Sequence, residues 1–189
     1  MCGVTGFQIN DLVGNEKQNI NKITEKIFHR GPDNTGYWYS ENDKVFIGHS
    51  RLSIIDLSMN ASQPMVSFDN RYVMTFNGEI YNYRQLIKNN SSNFKGKNIK
   101  SDTRLLLELI SIYGLKKTLQ KIEGMFAFCL WDKKLKEFLL VRDRFGEKPL
   151  FYFLDNKNFV FGSEIKIITE FFKPKKIRID NDSFNFFFF

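Results

Sequence analysis

Met1-Cys2-Gly3-Val4-Thr5-Gly6-Phe7 opens the chain, and the reading of this stretch decides the fold. Val4 to Ile9 reads as a strand that begins almost at the first residue. A strand there holds Cys2 firmly instead of leaving it on a frayed end. Removal of Met1 makes Cys2 the amino terminus, so that one residue carries a thiol and a free α-amine. The thiolate is the reactive form of cysteine, and an α-amine titrating near about 7.7–8.0 can act as its base at neutral pH. A cysteine at position 2 has no such meaning by itself. The rest of the chain decides.

Outward from that strand, composition bounds the class. A length of 189 residues suits one domain with a real core. With 42% hydrophobic and 26% charged residues, the chain reads as an ordinary globular protein. No apolar run approaches the roughly 20 residues that span a bilayer, so no membrane partner is expected. The start lacks a basic segment followed by an apolar one, and an amino-terminal Cys2 admits no targeting peptide; a cytoplasmic protein is the expectation. A net charge of +7 with pI near 9.3 invites nucleic acid. The lysines are scattered, however, with only short clusters such as Lys173-Pro174-Lys175-Lys176 and no stripe of aromatic platforms. A basic surface that meets a partner domain or aids solubility is the plainer reading. Cys2 and Cys129, with His29 and His49, make no disulfide framework and no metal site. Cys129 sits in the apolar run Met125 to Trp131 and reads as a small buried hydrophobe.

Ile20, Ile23 and Ile27 at helical spacing predict a helix over 19–28, broken by His29-Arg30-Gly31-Pro32-Asp33. Short strands are predicted at 37–39, 45–47, 52–55 and 71–76, and Asn77-Gly78 reads as a turn. A short helix follows at 83–88. Ser101-Asp102 can cap a helix running to Tyr113, with the stripe Leu105, Leu106, Leu109 and Ile112, and Gly114 ends it. Residues 116–122 suit another helical turn or two. Strands at 125–131, 138–141, 150–153 and 159–161 and a helix at 165–171 complete the pattern. Strands, then helices, then hairpin-like strands predict an α+β domain of packed sheets with helices outside. Asp180-Asn181-Asp182-Ser183 looks like a helix start, and the aromatic end from Phe184 to Phe189 suggests a chain cut short or packed on something else.

Five segments carry a resemblance. They are Met1-Cys2-Gly3-Val4-Thr5-Gly6-Phe7, His29-Arg30-Gly31-Pro32-Asp33 and Gly48-His49-Ser50-Arg51-Leu52-Ser53-Ile54-Ile55-Asp56-Leu57, followed by Phe76-Asn77-Gly78-Glu79-Ile80-Tyr81-Asn82-Tyr83 and Val141-Arg142-Asp143-Arg144-Phe145-Gly146-Glu147-Lys148-Pro149-Leu150. In this order they resemble the class II glutamine amidotransferases, most closely the glutaminase domain of glutamine-hydrolysing asparagine synthetase. The resemblance implies a four-layer αββα N-terminal-nucleophile hydrolase fold, with two stacked, mostly antiparallel sheets flanked by helices. It makes residues 1–180 the glutaminase domain and 181–189 the start of a truncated C-terminal synthetase domain. In the family that domain binds ATP and magnesium and activates aspartate. The chain has no Ser-Gly-Gly-Xaa-Asp-Ser-type loop, so it is expected to hold no cofactor and no metal itself.

By resemblance, Cys2 attacks the side-chain amide carbon of glutamine, releases ammonia and leaves a thioester that water hydrolyses. The Asn77 side chain and the Gly78 N–H match the family's oxyanion hole, a role that competes with a plain Asn-Gly turn. Arg51 matches the arginine that grips the α-carboxylate, for which a planar guanidinium is suited. Asp102 matches the group that takes the α-ammonium, with Glu79 nearby; capping the next helix is its alternative role. Leu52, Ile54 and Ile55 would form wall and backbone contacts. Arg104 stands where the family commonly has an acidic residue. Pointing outward it is neutral; pointing at Asp102 it weakens ammonium binding. His29 to Asp33 reads as a structural corner, and Arg142-Asp143-Arg144 as a domain interface or ion-pair network. The implied partners are glutamine and the synthetase domain, and a homodimer is a candidate assembly. Two alternatives are a related amidotransferase with another ammonia acceptor and a silent copy of the fold used for interaction. The complete set Cys2, Arg51, Asn77, Gly78 and Asp102 argues against the silent copy.

Overall fold

A computed structural model describes residues 1–9, 22–53, 58 and 61–172. Strands β1 (Gly3–Ile9), β2 (Asn34–Ser40), β3 (Val45–Arg51), β8 (Phe151–Leu154) and β9 (Asn158–Gly162) form a five-stranded sheet in the order β2-β3-β1-β9-β8. Strands β4 (Met65–Val66), β5 (Tyr72–Ile80), β6 (Gly124–Asp132) and β7 (Glu137–Arg142) form a four-stranded sheet in that order. Every described pairing is antiparallel. The helices are α1 (Tyr83–Asn89), α2 (Asp102–Tyr113), α3 (Leu115–Leu119) and α4 (Ile165–Phe172).

The period of two along each strand explains the layers. On β3, Val45 and Ile47 meet Val73 of β5 and Trp131 of β6, a contact between the two sheets. Phe46, between them, faces the other way and packs with Phe7, Ile23, Ile27 and Ile167 under helical segments. On the second sheet, Met74, Phe76, Phe128 and Leu130 pack against α2 through Leu105, Leu106 and Leu109. Val4, Cys129 and Phe161 complete the layer between the sheets. Helix, sheet, sheet, helix is the αββα arrangement that the resemblance implies. Cys129 is fully buried and its thiol is pushed well up by burial, as suits a small hydrophobe.

Four local expectations change. Asn77-Gly78 is not a turn but lies inside β5, which pairs with β6 from Tyr72↔Asp132 to Ile80↔Gly124. Gly78 is required there by close approach, because a Cβ would lie 2.2 Å from Met125 O and 2.6 Å from Phe126 Cα. Strand β3 runs on through Gly48-His49-Ser50-Arg51, paired with β1 and β2 on its two sides. The strand predicted at 52–55 is absent at Leu52 and Ser53, which follow β3 without regular structure; Ile54 and Ile55 lie outside the described residues, as does 181–189. The helix predicted over 19–28 is helical at 22–25 and ends in a 3₁₀ turn at Phe28–Arg30. Among the described residues no helix is long and apolar enough to cross a membrane.

Candidate active site

A cavity of about 320 Å³ is lined by Cys2, Arg51, Gln63, Asn77, Gly78 and Asp102, among others. The amino terminus is tied down on both sides. Val4 N–H donates to Ser163 Oγ at 2.9 Å, and Ser163 N–H donates to Val4 O at 2.9 Å. Arg30 Nε donates to Cys2 O at 3.0 Å while its Nη1 reaches Glu164 Oε1 at 3.2 Å. His29 Nε2 lies 2.8 Å from the same carboxylate. Burial raises the Glu164 pKa, but bonds from Lys166, Arg30 and His29 outweigh it and bring the carboxyl down to about 2. His29 and Arg30 thus form a structural corner that holds the residue carrying the thiol. Asp33 belongs to the same corner, its Oδ2 accepting from Ser53 N–H at 2.7 Å.

Cys2 Sγ accepts from Leu52 N–H at 3.4 Å and faces Leu52 O at 3.6 Å. Burial pushes this thiol up, and the bond from Leu52 opposes the shift. Met1 also lines the cavity, with its sulfur 3.5 Å from Lys148 Nζ.

Strand parity places the second group of donors. Phe126 bonds its N–H to Asp143 Oδ2 at 3.2 Å and its carbonyl to Asp143 N–H at 2.8 Å. It therefore turns both groups away from its partner Gly78, and the Gly78↔Phe126 pair is a non-hydrogen-bonded one. The polar groups of Phe76, Gly78 and Ile80 all point to the opposite edge of β5. There Phe76 N–H donates to Gln63 Oε1 at 2.6 Å and Ile80 N–H donates to Asp102 Oδ2 at 3.1 Å. Gly78 lies between them, its N–H directed at the cavity it lines. Asn77 is 2% exposed, and its Nδ2 is buried without a hydrogen-bond partner. An unpaired buried donor is costly and uncommon in native structures. Two N–H donors, one side chain and one backbone, thus meet at the cavity that holds the thiol.

Asp102 does not cap α2. Ser101 does, with its Oγ accepting from Arg104 N–H at 3.2 Å. The Asp102 carboxylate instead accepts from Ile80 N–H and, at 2.7 Å, from Thr103 N–H. Burial pushes its pKa up against those bonds. Arg104 turns away, donating to Val66 O at 2.7 Å and Glu108 Oε1 at 3.0 Å and lying 4.8 Å over the Phe68 ring. It is engaged elsewhere than at Asp102. Arg51 is 6% exposed, lines the cavity and donates through Nη1 to Ser58 O at 3.0 Å. Leu52 and Glu79 line the cavity as well.

The structure adds Gln63 and Lys148, both 7% exposed, to the lining. Gln63 has no local signal, being a polar residue between turn-forming neighbours, and Lys148, although it lies in the fifth segment of the resemblance, carries no assigned role there. Of the two readings of Arg142-Asp143-Arg144, the ion-pair network is not formed at Asp143. Asp143 accepts from the backbone N–H groups of Phe126, Phe145, Glu147 and Lys148, not from an arginine. It shapes the loop that brings Lys148 to the cavity.

Comparison with known proteins agrees with this geometry. The family model described as a glutamine amidotransferase domain matches residues 1–189. Amidase chry2 of Gibberella zeae is 34% identical over 181 residues, which cover 90% of this chain and 27% of that protein. Asparagine synthetase [glutamine-hydrolyzing] 1 of Bacillus subtilis is 39% identical over 169 residues, 88% of this chain and 26% of that one. The chain therefore spans about a quarter of the length of these two relatives. Among solved structures, the glutamine phosphoribosylpyrophosphate amidotransferase of B. subtilis superposes with a TM-score of 0.72 at 22% identity, over 88% of this chain and 43% of that one. That likeness shows the N-terminal-nucleophile hydrolase fold. The thiol tethered at the chain start, the donors on the open edge of β5 and the family match over residues 1–189 agree: the chain belongs to the glutamine amidotransferase domain family.

Proposed function

We propose that this chain is the glutaminase part of a glutamine-hydrolysing asparagine synthetase, delivering ammonia to an ATP-dependent synthetase domain that amidates aspartate. The observation that carries the reading is the unpaired Asn77 Nδ2 beside the outward Gly78 N–H, in the cavity that Cys2 lines. Once Met1 is removed, the Cys2 α-amine takes the thiol proton and Sγ bonds to the amide carbon of glutamine. The carbonyl oxygen becomes an oxyanion held by Asn77 Nδ2 and Gly78 N–H, the type of stabilisation worth about 10²–10³ in rate per donor. The carbon–nitrogen bond then breaks, the leaving nitrogen takes the proton from the α-amine, and ammonia departs from a thioester. Water attacks the thioester and gives its proton to the α-amine. A second oxyanion forms and collapses, breaking the carbon–sulfur bond to release glutamate, and the α-ammonium returns its proton to the leaving sulfur, which restores Cys2. Arg51 pairs with the substrate α-carboxylate, and Asp102, with Glu79 beside it, takes the α-ammonium.

On this reading the chain needs no cofactor or metal of its own, and ATP and magnesium serve the synthetase domain. Residues 1–180 form the glutaminase domain and 181–189 lead into the next. A homodimer in the cytoplasm is the assembly we infer. The relative named as an amidase favours a second reading, a related amidotransferase that serves another acceptor. The test is the intact mass of the purified chain before and after a diazo-ketone analogue of glutamine. We expect loss of Met1 and one covalent adduct, absent in Cys2→Ala. A processed chain that gains no adduct would overturn the assignment.

A further inference from the structure

We propose that Gln63 and His49 are positioning residues that hold the Phe76 carbonyl and thereby aim the Asn77 and Gly78 donors into the cavity. Strand β4 is only Met65–Val66, and its pairing with β5 ends at Met65↔Met74. Two residues further along β5, the N–H and C=O of Phe76 point to the same edge with no strand to meet them. The side chain of Gln63 takes the strand's place: Oε1 accepts from Phe76 N–H at 2.6 Å, and Nε2 donates to Phe76 O at 3.3 Å. An N–H can only donate, so the amide orientation follows from the network. A second donor reaches the same carbonyl from the other sheet, His49 Nε2 at 3.1 Å. His49 is fully buried, and burial, with Arg51 nearby, holds its pKa near 4. It is a neutral ring at pH 7, with its proton on Nε2 because a carbonyl faces that atom.

The geometry has a use that a longer β4 would lack. A continued strand would satisfy Phe76 and cover Gly78 N–H as well. A side-chain amide satisfies Phe76 alone, and Asp102 does the same for Ile80 N–H on the far side. The edge of β5 is thus anchored at Phe76 and Ile80 and left open at Gly78 between them. Fixing the Phe76 carbonyl fixes the peptide plane that leads into Asn77, whose unpaired Nδ2 has no bond of its own to orient it. This inference rests on the glutaminase reading, and its test has an arm that does not depend on that reading.

In the full chain with Met1 removed, Gln63→Met should lower kcat for glutamine hydrolysis by about 10- to 100-fold with KM changed less than about threefold. The same substitution in an Asn77→Ala background should lower kcat severalfold less than in the parent, because the part of its effect that runs through Asn77 is already lost and only the part through Gly78 N–H is left. His49→Leu should follow the same pattern, and Gln63→Glu, which keeps the acceptor for Phe76 N–H, should fall between. Equal losses in both backgrounds, unchanged kcat, or a raised KM at unchanged kcat would overturn the proposal. The second arm is the Asn77 side-chain NH₂ resonance pair, assigned by its loss in Asn77→Asp. It should shift and broaden in Gln63→Met; unchanged resonances would refute the positioning role. If the unaltered chain fails to hydrolyse glutamine, the functional reading falls and the resonances still decide the positioning.

Discussion

Truncating Asn77 to alanine should cripple the reaction without weakening the fold, and the structure sets both magnitudes. Asn77 is 2% exposed in the middle of β5, yet its Nδ2 has no hydrogen-bond partner. Desolvating a donor without pairing it costs about 1–3 kcal/mol, which Asn77→Ala returns to the folded state. Against this stands the packing of a few side-chain atoms. They border an existing cavity, so their removal enlarges a void and creates no new one in the close-packed core. We expect stability within about 1 kcal/mol of the parent, or higher; at this chain length 1 kcal/mol moves Tm by roughly 2–4 °C. Activity should behave in the opposite way. Loss of one oxyanion donor lowers kcat by about 10²–10³, equivalent to about 2.7–4 kcal/mol, with KM little changed. Urea melts and steady-state glutamate release on the same preparation supply both numbers. A loss of more than about 2 kcal/mol in stability, or a kcat loss below about tenfold, would refute the reasoning, because the amide would then be a structural bond and not a donor held for the reaction.

Two further outcomes follow from side chains of β3. Arg51→Ala should raise the KM for glutamine by about 10- to 10²-fold with kcat at saturation within about threefold, since a charged hydrogen bond to a carboxylate is worth roughly 1.5–3 kcal/mol; a kcat collapse at unchanged KM contradicts its placement. For His49, a folded pKa of about 4 against 6.5 in the open chain means that the unfolded state binds the extra proton between those values. Stability is therefore full well above pH 6.5 and falls as pH drops through 6.5 toward 4, by on the order of 2 kcal/mol at pH 4.5. Urea melts at pH 6.5 and pH 4.5, compared with those of His49→Gln, isolate this loss; an equal fall in both proteins would show that His49 is not buried neutral.

The elements legible in the sequence were those whose signals and tertiary partners agree. Helix α2 has Ser101 at its cap, an apolar stripe and Gly114 at φ +80° at its end, and it forms where those residues stand. At Asn77-Gly78 the sequence points to a turn and the structure to a strand, because local turn chemistry and long-range pairing disagree there. Nine registered pairs with β6 outweigh the turn preference of one dipeptide. β3 was cut short for a similar reason. Gly48-His49-Ser50-Arg51 reads as polar loop, but each side chain has a partner or a cavity inside the fold: His49 meets Phe76 O and Ser50 Oγ meets Thr24 O at 3.4 Å. Cys2, Arg51, Asn77 and Asp102 stand out in the sequence by the resemblance and by their chemistry, and the structure brings all four to one cavity. Gln63 and Lys148 do not stand out, since their meaning comes from Phe76, thirteen residues on, and from Met1, at the other end of the chain. The role of Arg104 could not be read without knowing that Val66 O and Glu108 take its guanidinium.

The division of the site between the two sheets makes their relative position the quantity that the reaction depends on. Cys2 stands immediately before β1 of the five-stranded sheet, and Asn77 and Gly78, the donors proposed for the oxyanion, sit on β5 of the four-stranded one. Between the sheets lie Val45, Ile47, Val73 and Trp131, and apolar contact of this kind is strong but non-directional. It holds the sheets face to face and discriminates poorly against a slide of an ångström, a misplacement that can cost about 10²-fold in rate. Hydrogen bonds are directional, and two cross this layer at neighbouring positions. Thr75 Oγ1 donates to Gly48 O at 3.2 Å, and His49 Nε2 donates to Phe76 O at 3.1 Å. Adjacent residues of β3 and adjacent residues of β5 are thus tied crosswise, immediately before Asn77 on one strand and two residues before Arg51 on the other. Burying a polar pair inside an apolar layer contributes little net stability. Its effect here is to select one register of the two sheets, the register that sets Asn77 and Gly78 against the cavity that Cys2 and Arg51 line.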